Sequence, residues 1–374
     1  MAVLNEEQTM LKDAASGWAT EYAPVGNFRR MRDAGETFAP AHYKDMADMG
    51  WPGVLVPESL GGAGLGLSEM IILQEELGRH LVASPLVSSG VIAVMALRLL
   101  GTEQQQSDLL PTIADGSDVV ALALDEGSRH DPSKTMAHAQ RTDQGYRLSG
   151  VKTHIPDAMM ANRFLILART ANTPGTQDGL SLFLTKAEHL APKPLSTLDQ
   201  RDYGRLELDG TTLPHDALIG PEGGAYPAMD QVLDCARIAL AAELLGLSEQ
   251  AFELTLDYLK TRKQFDTVLA QFQAIQHRMA ELMCQRELVR SVVEHAARAY
   301  DAGAQDATES ALIAKSMSND FANLMTRQMV QLHGGIGMTD LHDAGLFLKR
   351  ARALEALYGN TAWHNERYAQ LNGY

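Results

Sequence analysis

Gln331-Leu332-His333-Gly334-Gly335-Ile336-Gly337-Met338, running on through Leu346-Phe347-Leu348-Lys349-Arg350 to Leu357-Tyr358-Gly359-Asn360-Thr361, carries the strongest pattern in the chain. Before it, Ile313, Met317, Phe321, Leu324, Met325 and Leu332 recur at spacings of three and four, the period of an amphipathic helix. Gly334 and Gly335 should end that helix, because glycine enters the left-handed conformation that a carboxy-terminal cap requires. A turn without side chains also lets a ligand approach the backbone closely. A second, basic helix carrying Lys349, Arg350 and Arg352 follows and should stop at Gly359-Asn360.

Working outward, the segment Tyr258-Leu259-Lys260-Thr261-Arg262-Lys263-Gln264-Phe265 closes one long helical pattern, roughly 225 to 259, and leads through Phe272-Gln273 into another that reaches Arg298. The first carries Met229, Val232, Leu233, Ala236, Leu240, Leu244, Leu247 and Phe252 on its apolar positions. Upstream the period changes to two. Segments 119–124, 146–148, 164–168, 180–184 and 205–208 read as strands separated by turns such as Asp143-Gln144-Gly145, which suggests an antiparallel barrel or sandwich. Further upstream the pattern is helical again. Met10, Leu11, Ala14, Ala15 and Trp18 share one face, a helix is expected from Pro40 to Met49, and Ser68 is placed as N-cap of a helix over 69–77. Another helix is expected over 87–100, and Pro111 is read as preceding a short helical piece. The loop Pro57-Glu58-Ser59-Leu60-Gly61-Gly62-Ala63-Gly64 is glycine-rich but lacks a following Gly-Lys-Ser/Thr, so it reads as a surface loop. The fold class is α+β, with helical residues 1–117, a β domain over 118–220 and helical residues 221–374.

With 374 residues, 45% of them hydrophobic, the chain can bury a sizeable core. A net charge of −15 argues against nucleic acid or an anionic membrane as a partner. Cys235 and Cys284 both fall in helical patterns and read as buried free thiols. The amino terminus shows no apolar run of signal-peptide or membrane-spanning length, so a cytoplasmic protein is expected. No metal site is expected.

These motifs resemble the acyl-CoA dehydrogenases. Gln331 with Gly334, Gly335 and Gly337 matches that family's Q-x-x-G-G-x-G, and Tyr258, Arg262, Phe265 and Gln273 match its Y-x-x-x-R-x-x-F-G…Q, with Asp266 in place of the glycine. The glycine-rich loop after Pro57 resembles its P-E-x-x-G-G-x-G. The resemblance implies a helical–β–helical chain acting on an acyl-CoA thioester with FAD as cofactor. A carboxylate takes the α proton, the β hydrogen leaves as hydride to the flavin, and electrons pass to an electron-transfer flavoprotein. It also implies cofactor contacts at Arg262, Phe265, Gln273, Gln331, Gly334 and Gly335, and acyl-CoA contacts at Asp234 and Arg237.

The match fails where the family keeps its other essentials. The family's Y-E-G-T is Tyr358-Gly359-Asn360-Thr361 here, so Gly359 stands where the catalytic Glu is usual. Variant members place that Glu immediately before the Arg that corresponds to Arg237, and here Ala236 occupies the position. No residue is therefore assigned as catalytic. After the first strand, Asp125 replaces a Thr that bonds the flavin, while in Gly150-Val151-Lys152-Thr153-His154-Ile155-Pro156 a His and a Pro replace the usual Trp and Thr. His154, beside a proline and without a defined carboxylate, reads as a polar loop residue. In the family, the Arg and the Gln-x-x-Gly-Gly turn reach the flavin of the neighbouring subunit, whereas the Thr, Trp and Glu elements serve the subunit's own. The resemblance is thus closest to the small, base-less subunit of two-subunit enzymes such as the pimeloyl-CoA or steroid side-chain types. Two alternatives stay open: a homo-oligomeric dehydrogenase with a relocated base at Asp125, Glu126 or Asp234, and a flavin monooxygenase of the same fold.

Overall fold

The computed structural model describes residues 4–171 and 173–374. The helices α1 (Glu6–Tyr22), α2 (Val25–Ala34), α3 (Pro40–Asp48), α4 (Leu67–Arg79), α5 (Val94–Leu100) and α6 (Glu103–Ala114) come first. The strands β1 (Val120–Ala123), β2 (His138–Thr142), β3 (Gly145–Ser149), β4 (Val151–Pro156), β5 (Arg163–Arg169), β6 (Leu180–Lys186), β7 (Lys193–Pro194), β8 (Tyr203–Glu207), β9 (Thr212–Leu213) and β10 (Leu218–Ile219) follow. Helix α7 (Tyr226–Thr261), the hairpin β11 (Lys263–Gln264) and β12 (Thr267–Val268), and helices α8 (Gln273–Asp301), α9 (Ala307–His333), α10 (Ala344–Ala356) and α11 (Thr361–Leu371) complete the chain. Helical, then β, then helical is the order the sequence predicts.

By packing, the chain forms two compact units. One gathers the amino-terminal residues to Arg30, Leu67–Val82 and Arg237–Tyr374. In it α1 packs on α4, α4 on α8, and α8, α10 and α11 on α9. Two glycines set the crossing of α4 and α7. A Cβ at Gly78 would fall 2.2 Å from the Glu243 carbonyl oxygen, and one at Gly246 only 1.8 Å from that of Glu75, so the backbones touch. Charged groups buried there are paired. The Arg350 guanidinium donates to Glu243 from Nη2 at 2.7 Å and Nε at 2.9 Å, and Arg290 binds both Glu75 oxygens and Glu249. Lys315 is wholly buried, donating to Asn319 Oδ1 and the Leu354 carbonyl, and burial pushes its pKa down to about 7.

The other unit holds Met31–Gly66 and Ala83–Ala236. Its larger sheet runs β10-β6-β5-β2-β3-β9, with β1 also paired to β5, and its smaller one runs β4-β8-β7. Antiparallel pairing dominates, as expected, but β1 joins β5 in parallel. All four β1 residues are buried, which suits a parallel addition to a central strand.

Several expectations need correction. Met10 is 67% exposed and Ala14 is exposed, so α1 buries a narrower face around Ala15, Trp18 and Ala19. Ser68 is not the N-cap of α4; the carboxylate of Asp301 accepts from the backbone N–H of Leu67 and Ser68 and satisfies the helix end from another helix. The 87–100 region is π-helical over Leu86–Ala93 before α5 begins. Pro111 lies inside α6, near its end, rather than before a helix, and Thr102 with Gln105 forms that helix's capping box. Cys235 is buried but Cys284 is exposed.

Candidate functional site

Helix α9 ends at His333, and Gly334 takes φ 65°, the left-handed value that releases the chain into a tight 3-10 turn over Gly334–Met338. A Cβ at Gly334 or at Gly335 would meet nothing within 4 Å, so the turn presents open backbone. The turn is braced from below. The Tyr258 ring, from α7, stacks on His333 at 4.4 Å between centroids, and His333 faces His342 at 4.2 Å. His333 Nδ1 lies 2.7 Å from the Met329 carbonyl oxygen, which fixes the ring, and burial lowers the pKa of both histidines. This stack was not apparent from the sequence. Its signal was an aromatic residue and two histidines flanking the matched motifs.

Four residues beyond Tyr258, the exposed Arg262 leads into the β11–β12 hairpin. Its two-residue loop is Phe265-Asp266, with φ 55° and 61°. Such a loop normally selects Asn-Gly or Asp-Gly. Here two ordinary residues hold the conformation that a glycine would take freely, and Phe265 is 85% exposed. Gln273 starts α8, and both it and Gln331 are exposed. Arg262, Phe265, Gln273, Gln331, Gly334 and Gly335 therefore all lie in one unit, and all are open. Asp234 and Arg237 are the reverse, buried one helical turn apart on α7.

In the β unit Asp125 and the segment around Lys152 are tied by internal contacts, whereas His154 is exposed. Lys152, wholly buried, donates to Glu126 Oε1 at 2.7 Å and to the Leu124 carbonyl at 2.9 Å. Burial lowers its pKa and the Glu126 charge opposes that shift. Glu126 also accepts from the backbone N–H of Met136 and Ala137, so both its oxygens are used. The Asp125 carboxylate lies 3.1 Å from His130 Nδ1. His154 sits exposed on a bulge of β4 at φ 52°, where the register with β8 shifts, and Pro156 beyond it is buried and has no N–H to give. The glycine-rich loop after Pro57 is likewise turned on itself: the N–H groups of Ala63, Gly64 and Leu65 donate to the carbonyls of Gly53, Val56 and Val54.

Position 359 is closed. Tyr358 and Gly359 have φ 55° and 114°, and a Cβ on Gly359 would fall 2.7 Å from Trp363 Cε3 and 2.9 Å from His364 Cε1. Arg237 donates from Nε to the Tyr358 carbonyl at 3.3 Å, and its guanidinium lies 4.6 Å over the Trp363 ring.

Comparison with known proteins then settles the family. A model of the acyl-CoA dehydrogenase C-terminal domain matches residues 222–370, and one of the acyl-CoA dehydrogenase N-terminal domain matches residues 5–117. Over 370 residues the chain is 30% identical to the acryloyl-CoA reductase (NADH) of Anaerotignum propionicum, covering 96% of this chain and 93% of that protein. The chain belongs to the acyl-CoA dehydrogenase family. It is 29% identical over 364 residues to the acyl-CoA dehydrogenase FadE12 of Mycobacterium tuberculosis, covering 93% of this chain and 91% of that one. It also superposes on the solved structure of a Tcur3481-Tcur3483 steroid ACAD variant with a TM-score of 0.87 and 31% identity, covering 98% of each chain.

As an acyl-CoA dehydrogenase family member the chain is an FAD-dependent oxidoreductase of acyl-CoA thioesters. When bound, FAD supplies the acceptor for the hydride. The donor set around the Gly334 turn fits such a cofactor: a free-standing planar guanidinium suits a diphosphate, and open backbone with exposed amides suits its approach. The end of β4 and the stretch after β1 fit it poorly, since Pro156 cannot donate and Asp125 brings a carboxylate. Among the described residues there is no metal-ligating cluster, and no helix is long and apolar enough to cross a membrane.

Proposed function

We propose that this chain is the base-less subunit of an acyl-CoA dehydrogenase built from two unlike subunits, and that it completes the FAD site of its partner. In this reading Arg262 meets the diphosphate, Phe265 and Gln273 line the adenosine end, and Gln331, Gly334 and Gly335 supply the turn that receives the cofactor. The partner subunit brings the carboxylate that takes the α proton, and an electron-transfer flavoprotein accepts the electrons. Asp234 and Arg237 belong to the acyl-CoA side of this chain's own pocket, which is not the working one. The domains divide at 117 and 220, and the assembly works in the cytoplasm.

The observation that carries this reading is the crowding of position 359, where φ 114° strains any L-residue and a Cβ would fall 2.7 Å from Trp363 and 2.9 Å from His364, so that a side chain there forces the rings to shift. The relocated-base alternative has less support, because Asp125 is engaged by His130 and Glu126 by Lys152 and two backbone N–H groups. The name of one similar structure, which joins two gene products, is consistent with a paired assembly.

The test is to purify the chain alone and together with a family member that has Glu at the position of Gly359, then measure FAD per subunit and its bleaching by saturated acyl-CoA. The pair should hold about one FAD for every two subunits and bleach. The chain alone should not bleach. Robust bleaching by the chain alone overturns the base-less reading.

A further inference from the structure

The loss of a base requires only that one carboxylate be missing. The structure around position 359 goes further. The turn that places Gly359 has two successive residues at positive φ, the first of them the buried Tyr358, a conformation that a large L-residue adopts only when its surroundings impose it. Those surroundings are specific. Asn360 caps α11 by accepting from the Trp363 N–H at 2.9 Å, which fixes the first turn of that helix against the 358–359 backbone. His364, fully buried, stands edge-on to Trp363 with centroids 5.2 Å apart. The Arg237 side chain from α7, 1% exposed, covers the other ring and holds the Tyr358 carbonyl. One buried guanidinium thus ties the turn and the start of α11 together.

We propose that Trp363 and His364, clamped by Arg237, form a plug that closes this chain's own acyl position, so that the position is filled as well as lacking a base. The proposal rests on the base-less reading and deepens it: acyl-CoA thioesters are excluded from this chain's own pocket by occupancy. A side chain restored at 359 meets the two rings before it can reach substrate, so Gly359→Glu alone cannot recover function. The plug also accounts for the burial of Arg237. Its guanidinium lies over the Trp363 face and donates to the Tyr358 carbonyl, both of this chain.

Two measurements on the full chain purified alone test this. In a double-mutant cycle, Gly359→Ala is made in the wild type and in a Trp363→Ala/His364→Ala background, and unfolding is followed by urea titration. Backbone strain at φ 114° is common to both arms, so their difference isolates the clash with the rings. The Gly359→Ala cost should be clearly smaller in the opened background. In parallel, butyryl-CoA binding is measured by calorimetry, and the opened variant should bind at least tenfold more tightly than the wild type. Should the double variant not fold, Trp363→Leu/His364→Ala takes its place in both arms. An equal cost of Gly359→Ala in the two backgrounds, or no gain in butyryl-CoA binding, overturns the plug and leaves the base-less reading standing. Flavin bleaching by butyryl-CoA in the wild-type chain alone overturns that reading itself.

Discussion

The Gly334 turn with the β11–β12 hairpin and the segment around Lys152 are both matched to family motifs, yet they treat their polar groups in opposite ways. Around the turn, Arg262, Gln273, Gln331 and two glycines face outward, with strained backbone at Phe265 and Asp266 kept in place. Around Lys152, the charged groups are turned inward and matched to one another: Lys152 with Glu126, and Asp125 with His130. Unspent polar groups on a braced, strained backbone are what a binding surface needs, because binding must supply the partners that the fold withholds. Fully satisfied polar groups stabilise the fold and have little left for a ligand. Sequence decay alone would be expected to erode both regions alike.

The largest expected effect breaks the first region through its support. Glu243 on α7 and Arg350 on α10 form a buried pair that ties the helix leading to Arg262 to the helix following the Gly334 turn. Glu243→Ala leaves the guanidinium buried without that carboxylate, which typically costs about 3–5 kcal/mol. Urea unfolding should show a loss in that range. A loss under about 1 kcal/mol would mean that the pair does not hold this region.

A smaller effect is expected at the hairpin loop. Asp266→Gly places a residue with no left-handed penalty where the family motif has one, and should stabilise the chain by up to about 1 kcal/mol. Thermal melting checks it. Destabilisation would show that the Asp266 side chain, rather than the backbone conformation, is what the hairpin keeps.

Much of this was legible from residues alone. The 3.6-residue period before Gly334 and the glycine itself gave the end of α9 at His333, because both signals are local. The apolar runs of β5 and β6, buried along most of their length, were equally plain. His138–Thr142 was not, since β2 is a mostly exposed strand whose polar side chains carry no period. Long-range partners were beyond reach as well. The Asp301 carboxylate caps α4 from 234 residues away in the chain, and nothing in Leu67-Ser68 announces it. At the site, the motif residues could be read by position, and the missing Glu at Gly359 was visible as an absence. What fills its place was not visible, because the closeness of Trp363 and His364 to Gly359 depends on a turn with two positive φ angles. The Tyr258–His333–His342 stack escaped for the same reason, joining three residues from separate elements.

On this account the outward-facing region holds flavin and the inward-matched region does not. The most direct measurement titrates FAD into the complex of this chain with its partner, carrying either Arg262→Ala or His154→Ala here. Losing a hydrogen bond to a charged group typically costs ~1.5–3 kcal/mol. At about 1.4 kcal/mol per tenfold, Arg262→Ala should weaken FAD binding roughly tenfold to a hundredfold. His154→Ala should leave it unchanged. If the His154 variant loses FAD as severely as the Arg262 variant, this chain holds a flavin of its own and the division between the two regions is wrong.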